Sequence, residues 1–458
     1  MQLAGINKHL AWFFGAALRR QAVAGWALLF TGIQHVAVAQ EAAAPAPAVA
    51  QQRGGGLRTP HSEAFEKLLY KRLPEALHAV LRNHQQYKLQ IIFTQVNRDA
   101  NNRPSLRHFT FHLDTNQYFY PASLVKLPMA IMALEKINDL DIPELSKFSR
   151  VVVGRGYSCQ LPDNGNPQYP GGYSSLAQYI KTSLVVSDNM TFDHLYEFCG
   201  QQYLHEQLWD KGYRSVRVLH RLGSVCSPDE NRVTNPMTFY EGDSVVYKQP
   251  QLSNPYVYKN VVDGLRVGKS QIMMDGSLSP TPADFTFRNF ISLKDAHEML
   301  IAVMMPAAMP RAKRFKLKAD DYKFLHKHLS MYPSEMSSPS YDPKDNWDTK
   351  FKYLYYGMDP NEEINPDLRI FNKVGMAIGF VCDAAYFVDF ETKTEFFLSA
   401  AMYVNKSEIS FGGVYEFESI ALPFFKELGK TLYDFEKTRR KTHAPKLGIY
   451  KHKYDEGN

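Results

Sequence analysis

The sequence predicts a mixed α/β (α+β) fold in which the first and last segments of the chain build one sheet and a helical block between them forms a second lobe. Three observations carry this. Leu89, Ile91 and Phe93, then Phe109, Phe111 and Leu113, place an apolar residue at every second position on either side of the turn-rich stretch Asn97 to Pro104, which is the pattern of a hairpin with one buried face. Three further strand-like runs, 368–375, 382–391 and 396–405, precede a long helical stretch from about Tyr415 to Lys437. Between the two sets the spacing changes to four and three at Leu127, Ile131 and Leu134, the period of a helix face.

In chain order, Lys8, Arg19 and Arg20 precede an apolar run from Ala22 to Ile33, and Ala37-Val38-Ala39 offers small residues for a signal peptidase. Residues 1–39 are therefore expected to be a signal peptide cleaved before Gln40, with periplasmic or secreted destination. An uncleaved anchor is the other reading, but a dozen apolar residues fall short of the roughly 20 that span a bilayer. Residues 40–60, rich in Ala, Pro, Gln and Gly, read as a flexible linker. The catalytic domain is expected over 61–440, opening with a helix over 62–83 interrupted at Pro74. Its sheet lobe takes 61–122 and 367–440, and its helical lobe 123–236. Within the latter, a helix from about Ser175 breaks at Ser187-Asp188-Asn189 and resumes to Cys199, where Gly200 is a C-terminal cap. Residues 237–366, rich in Tyr, Pro, Met and Asp with helical stretches near 292–304 and 320–331, read as an insertion, either a rim or lid over the cleft or a cover of plain surface. The basic tail 441–458 is expected to be solvated, with contact to anionic polymers as the alternative.

Composition narrows the function classes. With 45% hydrophobic and 22% charged residues, the 458-residue chain is neither broadly disordered nor a multi-span membrane protein, and no stable membrane span is expected after signal removal. Lys and Arg exceed Asp and Glu by 53 to 47, too small and too dispersed a surplus for a nucleic-acid partner. Cys159, Cys199, Cys226 and Cys382 allow three disulfide pairings and lie far apart without a CxxC, so no zinc site is expected; bridges and buried thiols both remain open.

The chemistry-bearing residues fall in three short motifs. Ser123 and Lys126, three apart at a predicted helix start, share one face, so an amine that gives up its proton can serve as base for the hydroxyl. Ser187-Asp188-Asn189 sits in a helix break where a hydroxyl and an amide can face a cleft, although the same tripeptide is an ordinary capping turn. Lys373-Val374-Gly375 lies on an alternating strand, where Gly375 permits close approach of a ligand; alone it would be a surface lysine on a strand.

In this order the three motifs resemble the S-x-x-K, S-D-N and K-T-G signature of the class A serine beta-lactamases and the penicillin-binding D,D-peptidases. Tyr118 to Ala122 is similar to the family's approach to the nucleophile, and Thr234-Asn235-Pro236 to the T-T-P that closes its omega loop. The resemblance implies a beta-lactamase/transpeptidase-like architecture: an antiparallel sheet flanked by N- and C-terminal helices, plus an all-helical lobe. It also implies roles. Ser123 forms the acyl-enzyme with Lys126 as its base; Ser187 passes a proton to the departing nitrogen; Lys373 steadies Ser187 and a substrate carboxylate. Asn189 holds the substrate's side-chain amide, and the N–H groups of Ser123 and Met376 receive the oxyanion.

Departures from the pattern bear on turnover. The stretch His220 to Ser227 carries no carboxylate where class A enzymes keep the glutamate that activates the deacylating water, which leaves Glu230 and His220 as weak candidates. Val374 replaces a hydroxyl residue, and Cys382 stands where many relatives keep a carboxylate-binding arginine. The expected function is a secreted, monomeric serine hydrolase of the class A type acting on a small molecule, a beta-lactam or peptidoglycan-like amide, with no metal or organic cofactor. The alternatives are a penicillin-binding D,D-peptidase, esterase or amidase with little beta-lactam turnover, and an inactive binding protein on the same fold.

Overall fold

The computed structural model describes residues 61–156 and 159–454; the expected signal peptide and linker lie outside the described residues. Five antiparallel strands, β1 (Gln90–Arg98), β2 (Pro104–Phe111), β3 (Leu368–Ala377), β4 (Phe380–Asp389) and β5 (Thr394–Tyr403), form one sheet in the order β3-β4-β5-β1-β2. The pairing of β1 with β5, with Phe93 opposite Leu398, joins the two ends of the domain as expected. The central strands β4 and β5 are buried along nearly their whole length, because helices cover both faces of the sheet. On one face α1 (Glu63–Arg72) and the C-terminal helix, Leu422–Thr438, pack Phe65, Leu69, Phe424, Leu428 and Leu432 against Phe93 and Phe396. Pro74 separates α1 from a short helical turn, as its missing N–H requires.

The opposite face carries the second lobe. Its centre is α2 (Lys126–Leu140), buried on all sides from Lys126 to Ile137, as a helix apolar around its circumference must be. Beside it run α3 (Leu176–Val185), capped by Ser175, and α4 (Asn189–Cys199), capped by the Asp188 carboxylate on Thr191 N at 2.8 Å and ended by Gly200 at φ 70°. The lobe is mostly helical but not wholly so: Arg150–Val153, Ser174–Ser175, Met237–Glu241 and Ser244–Gln249 make a four-stranded sheet at its side. These runs are too short to show a period in the sequence.

Two parts differ from expectation. Within 237–366, α5 (Leu293–Met304) is core and not rim: Leu293, Ala296, Met299, Leu300 and Ile301 are fully buried, and the helix packs on β4, β5 and α2. α6 (Ala319–Ser330) packs on β3 and α3. The described part of the tail, though mostly exposed, is anchored to the domain. Leu447 and Tyr450 are buried, Tyr450 donates its hydroxyl to Met304 O at 2.9 Å, and its ring meets Phe371 and Tyr386. Apolar residues dispersed among the tail's lysines supply that anchorage. Of the cysteines, Cys159 and Cys226 form a disulfide, while Cys199 and Cys382 are free and buried. Among the described residues no helix is long and apolar enough to cross a membrane.

Candidate active site

Ser123 sits in a 3-10 turn, Ala122–Val125, that runs directly into α2. In a 3-10 turn residues three apart eclipse one another, which sets the Ser123 hydroxyl over the first residue of the helix, Lys126. Pro128, unfavourable inside a helix, falls in the first turn of α2, where a missing N–H is tolerated. Ala122 holds the left-handed conformation at φ 44°, a strain of about 1 kcal/mol for a residue with a Cβ, immediately before the serine. Ser187, also left-handed at φ 59°, occupies the break between α3 and α4. Such strained positions cluster where a backbone must aim a side chain.

The three motifs converge on Lys126. Its Nζ donates to Asn189 Oδ1 at 2.6 Å and Ser187 O at 2.8 Å, and lies 2.7 Å from Ser123 Oγ and 3.4 Å from Ser187 Oγ. Lys373 Nζ donates to Ser187 Oγ at 3.0 Å and to Val374 O at 3.2 Å. The two lysines are 0% and 1% exposed, whereas Ser123, Ser187 and Asn189 remain half-buried. Burial, reinforced by the positive charge of Lys373, holds the Lys126 ammonium well below its ordinary value, only partly offset by Asp188 and Asp193. Burial likewise lowers Lys373 to about 7, against the attraction of Asp383. A hydroxyl beside a loosely held amine proton, with a second hydroxyl between two amines, is an arrangement able to move protons to and from a reacting group.

Along β3 the residues alternate between the sheet's two faces, as a strand must. Lys373 points to the cleft, while Val374 is buried in the core cluster of the sheet's other face, so an apolar residue there answers to packing. Gly375 is required by the chain itself: a Cβ would lie 2.0 Å from Pro121 O, in the segment that delivers Ser123. The expectation of a close ligand approach at Gly375 thus has a nearer cause in this backbone contact. Cys382, opposite Gly375 in the register, is buried with Sγ 3.4 Å from Pro121 O and supports the same contact. β3 is an edge strand, so alternate N–H groups toward its open side, in the stretch that includes Met376, lack a strand partner.

The loop 220–236 is held by Arg221, which is buried and donates to Glu197 Oε1 at 2.8 Å, Asn231 Oδ1 at 3.2 Å and Val233 O at 2.7 Å. Glu230 spends its carboxylate on Ser227 N at 2.8 Å, within its own turn. His220 donates from Nδ1 to Arg221 O at 2.6 Å, and burial keeps its ring neutral, with its pKa lowered to about 3. No hydrogen bond of either residue reaches Ser123 or Lys126. Sequence reasoning missed Asp193. This carboxylate on α4 accepts Leu222 N at 2.7 Å and Gly223 N at 3.1 Å, and burial raises it to about 6. Its position four residues after Asn189, on the same helix face, was the available signal.

Among solved structures the chain is similar to a beta-lactamase from Sphaerobacter thermophilus (10% identity, TM-score 0.43, covering 80% of this chain and 98% of that one). It is similar also to a beta-lactamase from Desulfarculus baarsii (13%, 0.44, 82% and 99%). A third is PBP-A, as an acyl-enzyme complex with penicillin G (12%, 0.43, 79% and 96%). No curated protein matches the chain significantly. The model of the beta-lactamase enzyme family matches residues 72–308, which take in Ser123, Lys126, Ser187, Asn189 and the first part of the stretch read as an insertion. That match spans more than half of the 458 residues, and the chain belongs to the beta-lactamase enzyme family.

Proposed function

We propose that this protein is a serine hydrolase that opens a beta-lactam or a related amide through an acyl-enzyme on Ser123. The observation that carries the reading is the set of partners around Lys126 Nζ. Ser187 O and Asn189 Oδ1 can only accept hydrogen bonds, so a neutral amine gives both its N–H groups to them and turns its lone pair to the third neighbour, the Ser123 hydroxyl at 2.7 Å. Burial favours that neutral form. Ser123 Oγ then attacks the carbonyl carbon as its proton passes to Lys126. The N–H groups of Ser123 and Met376 receive the oxyanion, whose stabilisation by one such donor is worth about 3 kcal/mol. When the C–N bond breaks, the nitrogen takes a proton from Ser187, which lies between Lys126 and Lys373 and is resupplied from the Lys126 side. Lys373 supplies positive charge for a substrate carboxylate, and Asn189 orients the side-chain amide.

A second reading, an acyl trap of the penicillin-binding kind, is favoured by the carboxylates. Among the described residues none is hydrogen-bonded to Ser123 or Lys126: Glu230 is engaged with Ser227, and Asp193 with the loop backbone. Water activation is then the slow step. Export fits the same reading, because residues 1–39 have a signal-peptide pattern and a disulfide such as Cys159–Cys226 persists in oxidising compartments. A monomer acting on small molecules is the simplest form.

The test is to incubate the mature protein with a fluorescent penicillin and a chromogenic cephalosporin, with Ser123→Ala as control. Turnover lost in the variant supports hydrolysis. Stable labelling without turnover selects the acyl trap, and no labelling at all rejects beta-lactam chemistry.

A further inference from the structure

A second cluster of chemistry-bearing side chains lies at the other edge of the sheet. His112 directly follows β2, the edge strand opposite β3, and His61 and Glu66 flank and open α1. One ligand atom from each of His61, Glu66 and His112 lies within 4.8 Å of the other two. His61 Nε2 is 2.7 Å from Glu66 Oε2, and its Nδ1 is buried with no hydrogen-bond partner. His61 stacks on His112 with ring centroids 4.5 Å apart, and His84 covers the imidazole of His112 at 3.5 Å and 3°. His84 is itself held by its Nδ1 against Leu81 O, so the His112 ring has a fixed plane. His112 also adopts φ 45°, a left-handed backbone that is uncommon for a residue with a Cβ but that His takes up more readily than most.

An ordinary ion pair accounts for one histidine and one glutamate. It does not account for a second imidazole brought to the same point. We propose that His61, Glu66 and His112 form a site for one divalent cation of the zinc type, filling three coordination positions and leaving the fourth to water. Two imidazoles and a carboxylate are ligands that zinc takes at about 2.0–2.2 Å, which requires donors about 3.3 Å apart in a tetrahedral arrangement. Donors within 4.8 Å of one another reach that spacing by closing at most about 1.5 Å through side-chain rotation. The bound ion joins the segment where the chain enters the domain to the end of β2. It acts as a clamp on the fold, separate from the residues around Ser123.

The experiment uses the mature protein freed of metal with a chelator, then titrated with Zn2+ by calorimetry and with Co2+ by its visible absorption. The expected result is one ion per chain, a melting temperature that rises with Zn2+, and the absorption of a four-coordinate Co2+ centre. His112→Asn keeps a residue tolerant of the left-handed backbone, and Glu66→Gln keeps the side-chain shape. Each is expected to weaken binding tenfold or more, while the metal-free melting temperature and penicillin labelling of Ser123 stay unchanged. Absence of stoichiometric binding in the parent protein overturns the proposal. So does equal binding in both variants, which assigns the ion to other histidines.

Discussion

Lys126 and Lys352 are both buried amines beside β3, and the difference between them is what would separate the base proposed above from a structural cation. Lys352 Nζ donates to Leu329 O at 3.0 Å, Ile370 O at 2.9 Å and Asn372 Oδ1 at 2.7 Å; burial lowers it to about 7. Asn372 passes its own N–H to Asp383 Oδ1 at 2.9 Å, and burial raises that carboxyl to about 7. All three acceptors around Lys352 are oxygens that can only accept. A neutral amine there would leave one of them unpaired in the core, so the proton is kept. Lys126 has two such acceptors and two hydroxyls, the Ser123 one nearer at 2.7 Å and the Ser187 one at 3.4 Å. Desolvation loosens both protons, but only the partner that can reverse a hydrogen bond turns a loose proton into chemistry.

The largest effect that tests this contrast is on acylation. Lys126→Met is expected to slow labelling of Ser123 by a fluorescent penicillin about 10³-fold, within the range of general-base catalysis, while Lys352→Met leaves labelling of the folded fraction nearly unchanged. Equal losses would break the comparison. Stability should respond to Lys352: its replacement by Met strands three buried acceptors and is expected to cost about 3 kcal/mol in urea denaturation. A shift within error would mean that water replaces the ammonium.

The pH profile sharpens the pair at smaller scale. In the proposed mechanism acylation requires Lys126 without its proton and Lys373 with it, so the rate is expected to rise on the acid side and fall above about 7 as Lys373 is neutralised. One pH unit beyond that midpoint the loss is about tenfold. Lys373→Arg should move the falling limb to higher pH, because a guanidinium keeps its proton. An unmoved limb would show that another group sets it. Smallest of all, Glu230→Gln is expected to leave release of the acyl label almost unaltered, since that carboxylate serves its own turn. A collapse of deacylation would place it at the ester after all.

Several elements were legible because their signals are local. The breaks at Pro74 and at Ser187-Asp188-Asn189, and the cap at Gly200, fall where the residues put them. The strands read at 382–391 and 396–405 begin two residues earlier, at Phe380 and Thr394. Strands buried on both faces show no alternation to mark their ends. The helix near 292–304 was visible, but periodicity says that a helix is buried without saying against what, and its place on β4 and β5 was hidden. The four-stranded side sheet and the anchored tail rest on contacts between distant segments, which no short window contains.

The sequence by itself determined the pairing of Ser123 with Lys126, since three residues of helical turn place the two side chains together whatever the rest of the chain does. It also determined the order of strands and helices from which the two-lobed fold follows. Only the tertiary structure decided that Lys126 is sealed from water between Ser187 and Asn189, that Cys159 pairs with Cys226, and that Gly375 makes room for Pro121. Desolvation, cross-linking and close backbone approach each depend on segments far apart in the chain meeting in space, and spacing along the chain carries no record of that.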